Sequence, residues 1–117
     1  LVFHVNFKER LEQCRTFCMV PGWWDPDTPA INELMFQRTE ALIPYIPTNY
    51  YLSPCPDGSF QWEWEEKRKN NIWVVIEVYE TFYRLTREDG IEHEETDLNK
   101  FIQVLKTYLP HKFPNEK

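Results

Sequence analysis

Glycine is almost missing from this 117-residue chain: Gly22, Gly58 and Gly90 are all it has. Loops that cradle phosphate with successive backbone N–H groups need clustered glycines, so a nucleotide-binding turn of that kind is excluded. Cysteine is scarce and odd in number, with Cys14, Cys18 and Cys55 at irregular spacing. That pattern argues against a secreted disulfide scaffold and for reduced thiols in a cytosol. Positive charge is short as well. Thirteen Lys and Arg face nineteen Asp and Glu, for a net charge of −6. A chain so balanced lacks the basic footprint of a phosphate-backbone binder, which argues against direct contact with DNA or RNA. No apolar run approaches the ~20 residues of a membrane span, and no basic, apolar, small-residue series resembles a signal peptide. A sequence that opens on Leu1 says nothing about a leader ahead of it.

Aromatic surface is what the chain has in abundance: five Trp, six Tyr and eight Phe. These side chains bury large areas per residue, so one domain of this length can hold a core without metal or disulfide staples. The nine prolines cluster between periodic segments, as connections in a folded chain do. No repeat or linker interrupts residues 1–117, and the tail from His111 to Lys117 has no periodicity and is expected to fray.

Phe7, Leu11, Cys14 and Cys18 recur at helical spacing and predict a helix over Phe7–Met19, capped by Asn6 and ended by Pro21-Gly22. A second helix is expected over Asn32–Ile46, with Leu34, Met35, Ala41, Leu42 and Tyr45 as its buried stripe and Pro44 kinking or ending it. The period then changes to two. Asn49–Ser53, bounded by Pro54, reads as an edge strand. The turn Cys55-Pro56-Asp57-Gly58 leads into Ser59–Glu66, where Phe60, Trp62 and Trp64 alternate with Gln61, Glu63 and Glu65. A charged turn, Lys67–Asn71, precedes Ile72–Tyr79, apolar on both faces and so expected at the centre of a sheet. Thr81–Arg87 and an acidic edge strand, Ile91–Glu95, flank the Asp89-Gly90 turn. Asp97 or Thr96 caps a last helix carrying Leu98, Phe101, Ile102, Leu105, Tyr108 and Leu109 on one stripe, stopped by Pro110. The expected fold is α+β: an antiparallel meander of four to five strands, with two N-terminal helices and one C-terminal helix covering one face.

Two segments together resemble an uncharacterised family of small bacterial proteins. The first is the loop Gly22-Trp23-Trp24-Asp25, followed by Pro29 and Asn32, with two Trp where the family pattern has one. The second is the turn Pro54-Cys55-Pro56-Asp57-Gly58 and its strand ending at Glu63-Trp64. The resemblance covers roughly Phe7–Tyr79 and brings no activity with it. It implies a prokaryotic or phage origin and a cytoplasmic location.

Three candidate sites weigh less than their ordinary explanations. Cys14 and Cys18 at i, i+4, with Cys55 and His4, have thiolate-site chemistry but no CxxC turn, and free cysteines are usually core residues. Glu92, His93, Glu94, Glu95 and Asp97 are metal-ligand types, yet on a strand neighbouring acids point to opposite faces and do not converge. Glu63, Glu65 and Glu77 beside the Trp strand suggest a sugar-processing cleft, for which so small a sheet leaves little depth. No catalytic, cofactor-binding or metal-binding residue is therefore assigned. The expectation is a small acidic cytoplasmic protein that binds a macromolecular partner, a protein with basic surface, and no membrane. Inhibition of a nucleic-acid-processing or defence system is a special case, since carboxylate rows can imitate phosphates. The contact residues expected are Trp23, Trp24, Glu63, Glu65, Glu92 and Glu94, giving aromatic anchors with electrostatic steering. The alternative is a small enzyme or carbohydrate-binding module using the Trp strand.

Overall fold

The computed structural model describes residues 6–65 and 73–109. Helix α1 spans Phe7–Cys18 and turns Phe7, Leu11, Cys14 and Cys18 inward. Its start is a reciprocal cap: Glu9 N–H donates to Asn6 Oδ1 at 2.8 Å, and Asn6 Nδ2 donates to Glu9 Oε1 at 2.9 Å. Helix α2 is shorter than its sequence pattern suggests, Glu33–Glu40, followed by a separate 3-10 turn at Ile43–Tyr45. Pro44 explains the break, since it has no N–H to give to the Glu40 carbonyl four residues back. Shortening also changes the buried face. Met35, Phe36 and Thr39 point inward, and Leu42 is buried beyond the helix end. Leu34 and Ala41, expected on the stripe, are exposed. Thr39 is accommodated inside because its hydroxyl donates to the Met35 carbonyl at 2.8 Å.

Five strands follow in sequence order as one antiparallel sheet: β1 Tyr51–Pro54, β2 Phe60–Glu65, β3 Trp73–Val78, β4 Tyr83–Arg87 and β5 Glu92–Glu95. Helix α3, Leu98–Tyr108, closes the chain, its first turn capped by Asp97 Oδ1 accepting from Lys100 N–H at 3.0 Å. Pro110 and the tail lie outside the described residues, as do the Lys67–Asn71 turn, Glu66 and Ile72.

The register sorts the two faces. Leu52, Trp62, Ile76, Leu85 and His93 stand opposite one another across all five strands. Together with Phe60, Val74, Val78 and Tyr83 they face the helices, and all but the half-buried His93 are buried. Each helix supplies an aromatic ring to this face. Phe7 meets Trp62 edge-on with centroids 5.6 Å apart, Phe36 meets Phe60 at 5.1 Å, and Phe101 stacks on Tyr83 at 5.1 Å. Phe60 and Trp62 therefore point to the helices as the alternation predicts, with Trp64 half-buried beside Tyr50. His93 is part of this interior too, stacked on Tyr108 of α3 at 4.6 Å. β3 is the central strand, as its two apolar faces require.

The edges differ. On β1, Arg10 Nε donates to the Leu52 carbonyl at 3.1 Å. Pro54 sits two residues on, where main-chain groups point the same way and it has no N–H to offer. On β5, no described strand pairs with the far side.

Trp62 is the largest side chain fully out of solvent, and its indole N–H has no hydrogen-bond partner among the described residues. Packing alone holds it. Trp62→Ala should cost about 3–5 kcal/mol in urea unfolding, and Trp62→Phe distinctly less, because it also removes a buried donor without a partner.

Candidate functional site

The helices leave two surfaces on which an activity could be built: the outer face of the sheet and the loop between α1 and α2. On the outer face, one cross-strand row runs Tyr51, Glu63, Val75, Thr86 and Glu92, and the next runs Ser53, Gln61, Glu77, Arg84 and Glu94. Glu63 and Glu92 are exposed, with Glu63 Oε1 accepting from Gln61 Nε2 at 2.8 Å. Glu94 is paired with Arg84 at 3.3 Å. Glu65 is opposite Trp73 in the ladder, and its side chain lies outside the described set. The face is thus mixed. Tyr51 and Trp73 are exposed on it, and Arg84 stands among the acids.

Arg84 organises its surroundings. Its Nε donates to Glu77 Oε1 at 2.8 Å and its Nη2 to the Tyr79 hydroxyl at 3.1 Å, while Tyr79 Oη donates to Glu77 Oε2 at 2.5 Å. The guanidinium also lies over the rings of Tyr79 and Phe82, themselves stacked at 4.6 Å. Burial pushes the Glu77 carboxyl upward, but the hydrogen bonds from Arg84 and Tyr79 and the Arg84 charge together outweigh it and hold the group below its ordinary value. Burial and the bond to Glu77 push the Tyr79 hydroxyl up to about 12. A tyrosine so shifted holds its proton firmly and is a poor acid, and Glu77, Tyr79 and Arg84 are all partnered with one another. The cluster is a brace across β3 and β4.

The α1–α2 loop is of another kind. Gly22 takes φ +81°, a conformation that favours glycine, and its N–H donates to the Thr28 carbonyl at 2.7 Å. Thr28, buried, accepts from Asp25 N–H at 3.1 Å and donates from its hydroxyl to Asp25 Oδ1 at 2.9 Å. Asp27 N–H adds a bond to the same Oδ1 at 2.9 Å, and Ile31 N–H ties the loop to Cys18 O at 2.8 Å. Arg15 and Glu33 form an ion pair between α1 and the start of α2. On this fixed frame Trp23 is half-buried and Trp24 is 66% exposed. Their rings form an edge-to-face chain with Phe17, at 6.1 Å between Phe17 and Trp23 and 6.2 Å between Trp23 and Trp24. Met19 and Val20 are exposed in the same segment.

Trp23 links this ridge to a cavity that sequence spacing does not reveal. Its Nε1 donates to the Pro29 carbonyl at 3.1 Å, and Pro29 lines a half-open pocket of about 290 Å³. Residues 29–32 and Met35 form one wall, and Asp57, Gly58, Ser59, Tyr79 and Glu80 form the other. The six residues expected at a contact surface therefore divide. Trp23 borders this pocket through Pro29 and Trp24 stands against Trp23, while Glu63 and Glu92 lie on the outer face of the sheet with Glu94. The acids that line the pocket are Asp57 and Glu80, while Asp25 and Asp27 lie in the Trp loop itself.

No three His, Cys, Asp or Glu side chains among the described residues converge to hold a metal. His4 lies outside them. Cys14 and Cys18 are fully buried, while Cys55 is only half-buried in the β1–β2 turn, contrary to a core position for all three. None of these cysteines is in a disulfide. Burial raises all three thiols, Cys18 to about 12 with the neighbouring Cys14 adding to the shift. No helix among the described residues is long and apolar enough to cross a membrane. No family model, curated protein or solved structure matches the chain.

A thiol reagent under native, non-reducing conditions should modify Cys55 well before Cys14 and Cys18, and all three after denaturation. Glu77→Gln should lower stability by about 1–2 kcal/mol at neutral pH, since Arg84 and Tyr79 lose a charged acceptor. Glu77 is held below its unfolded value of ~4.3, so its contribution is complete above that value and lost as the pH falls through the folded one. The variant should accordingly show a shallower acid limb than the parent in unfolding followed from pH 7 to pH 3.

Proposed function

We propose that this chain is a small acidic interaction protein, cytoplasmic and of prokaryotic or phage origin, that binds a protein partner with a basic surface. One observation carries the reading. Trp24 stands 66% exposed on a loop whose backbone is pinned by its own hydrogen bonds and by Thr28. Leaving an indole in water forgoes the stabilisation that its burial would bring. A rigid loop that holds it there lowers the entropy lost on docking, which is how aromatic hot spots work. The net charge of −6 supports a basic counterpart and electrostatic steering of encounter. Partners of that charge include nucleic-acid-processing and defence proteins, whose phosphate-binding surfaces are basic, so inhibition of such a system fits the same surface. The alternative, a Trp-strand carbohydrate site, loses its platform, because Trp62 is buried and Trp64 packs against Tyr50.

Trp24→Ala should change folding stability by no more than about 0.5 kcal/mol, as an exposed substitution does. It should also remove the most quencher-accessible part of the tryptophan fluorescence. In parallel captures from the native host extract, proteins retained by the parent chain and released by moderate salt should be lost with Trp24→Ala, a weakening of about 30-fold or more if the indole is a hot spot. Identical retention by parent and variant at low and high salt would refute the reading.

A further inference from the structure

The pocket beside the Trp loop has a chemistry of its own. At about 290 Å³ it lies at the bottom of the roughly 300–1,000 Å³ range of small-molecule sites, so it suits one side chain rather than a cofactor. Its accessible apolar surface comes from Pro29 and Ala30, both exposed, over the buried Ile31 and Met35. Its charges are two carboxylates, Asp57 and Glu80, both exposed, and no Lys, Arg or His lines it. Neither acid has a counter-ion among the described residues, unlike Glu33, Glu77 and Glu94, each paired with arginine. Asp57 Oδ1 holds the turn together, accepting from Ser59 N–H at 3.0 Å and Ser59 Oγ at 2.6 Å. Oδ2 accepts no hydrogen bond in that set. The field of Asp57 reaches Glu77 and Tyr79, whose titrations it pushes upward.

Two positive influences are near. The N-terminus of α2 contributes about half a charge, but Asn32 Oδ1 already accepts from Met35 N–H at 3.1 Å and Glu33 sits in the first turn. Arg38 holds the Tyr79 carbonyl through Nε at 2.8 Å and lies 4.3 Å over the Tyr83 ring, while its buried Nη2 has no hydrogen-bond partner and its charge no carboxylate among the described residues. The two carboxylates that line the mouth outnumber that one cation, which does not line it. An apolar wall with unpaired carboxylates at the opening matches a group with an aliphatic stem and a cationic head.

We infer that this cavity is a subsite for a lysine side chain of the partner, whose methylenes lie on Pro29 and Ala30 and whose ammonium meets Asp57 and Glu80. The inference rests on the partner-binding reading and places a basic residue of the partner next to the one that meets Trp24.

The test is an amide-resolved NMR titration of the full chain with Nα-acetyl-lysine methylamide, Nα-acetyl-norleucine methylamide and n-butylammonium. The lysine probe should shift the amides of Asn32, Gly58, Ser59 and Glu80 saturably, and norleucine should bind at least about tenfold more weakly, the loss of one charge-assisted hydrogen bond. The double variant D57N/E80Q should lose a similar factor for lysine. It keeps the fold, because the Asn side-chain oxygen can still accept from Ser59. Norleucine equal to lysine, no saturable shift, or an unchanged double variant would overturn the subsite. Binding of n-butylammonium tighter than the lysine probe would overturn the partner side chain as its source and assign the cavity to a small amine. If lysine fails here while Trp24→Ala still loses the captured partner, the subsite alone is wrong. If lysine binds and Trp24→Ala loses nothing, the partner-binding reading is the one that fails.

Discussion

One row of side chains across the inner face of the sheet carries the fold: Leu52, Trp62, Ile76, Leu85 and His93, one from each strand. Because side chains alternate along a strand, this row fixes which face every other strand residue occupies. It also fixes where the helices rest. α1 reaches Trp62 through Phe7, and α3 reaches His93 through Tyr108 and the neighbouring Tyr83 through Phe101. α2 arrives two residues away on the same face of β2, through Phe36 on Phe60. A register slip of one residue would place Glu63 and Glu77 under the helices and cost the whole interface, so the aromatic row selects the pairing.

Much of this architecture was legible in the chain. Asn6 and Asp97 mark helix starts because short polar side chains satisfy the first N–H groups. The Phe60–Glu65 alternation gives strand and facing, and the apolar content of Trp73–Val78 places it centrally. What the sequence did not give away was the length of α2. Its apolar residues continue to Tyr45, and only the backbone cost of Pro44 divides helix from 3-10 turn. Trp24 was legible as unusual but not as exposed, since nothing local says whether a partner for it lies within the chain. Asp57 and Glu80 were illegible as a site. They are distant in sequence and meet residues 29–35 only because the meander brings the β1–β2 turn and the end of β3 beside the start of α2.

Charge on the two surfaces behaves differently for the same reason. On the outer sheet face Glu77 and Glu94 are cross-strand neighbours of Arg84, so pairing follows from register. Around the pocket the acids sit in turns, where no ladder supplies an opposite charge. Asp57 and Glu80 thus keep their charge uncompensated among the described residues, as Glu63 and Glu92 do on the outer face where the ladder sets no arginine opposite them.

The unequal edges of the sheet carry a consequence for solution behaviour. β1 has its Leu52 carbonyl taken by Arg10 and a proline where a donor would be needed. Fibrous sheet growth requires two receptive sides per molecule, so that each addition exposes a fresh template. The other edge, β5, carries Glu92 and Glu94, which would set like charges against each other if a second copy paired along it. Strand addition is thus opposed on both sides of the sheet, by a single arginine and a single proline on β1 and by like charge on β5.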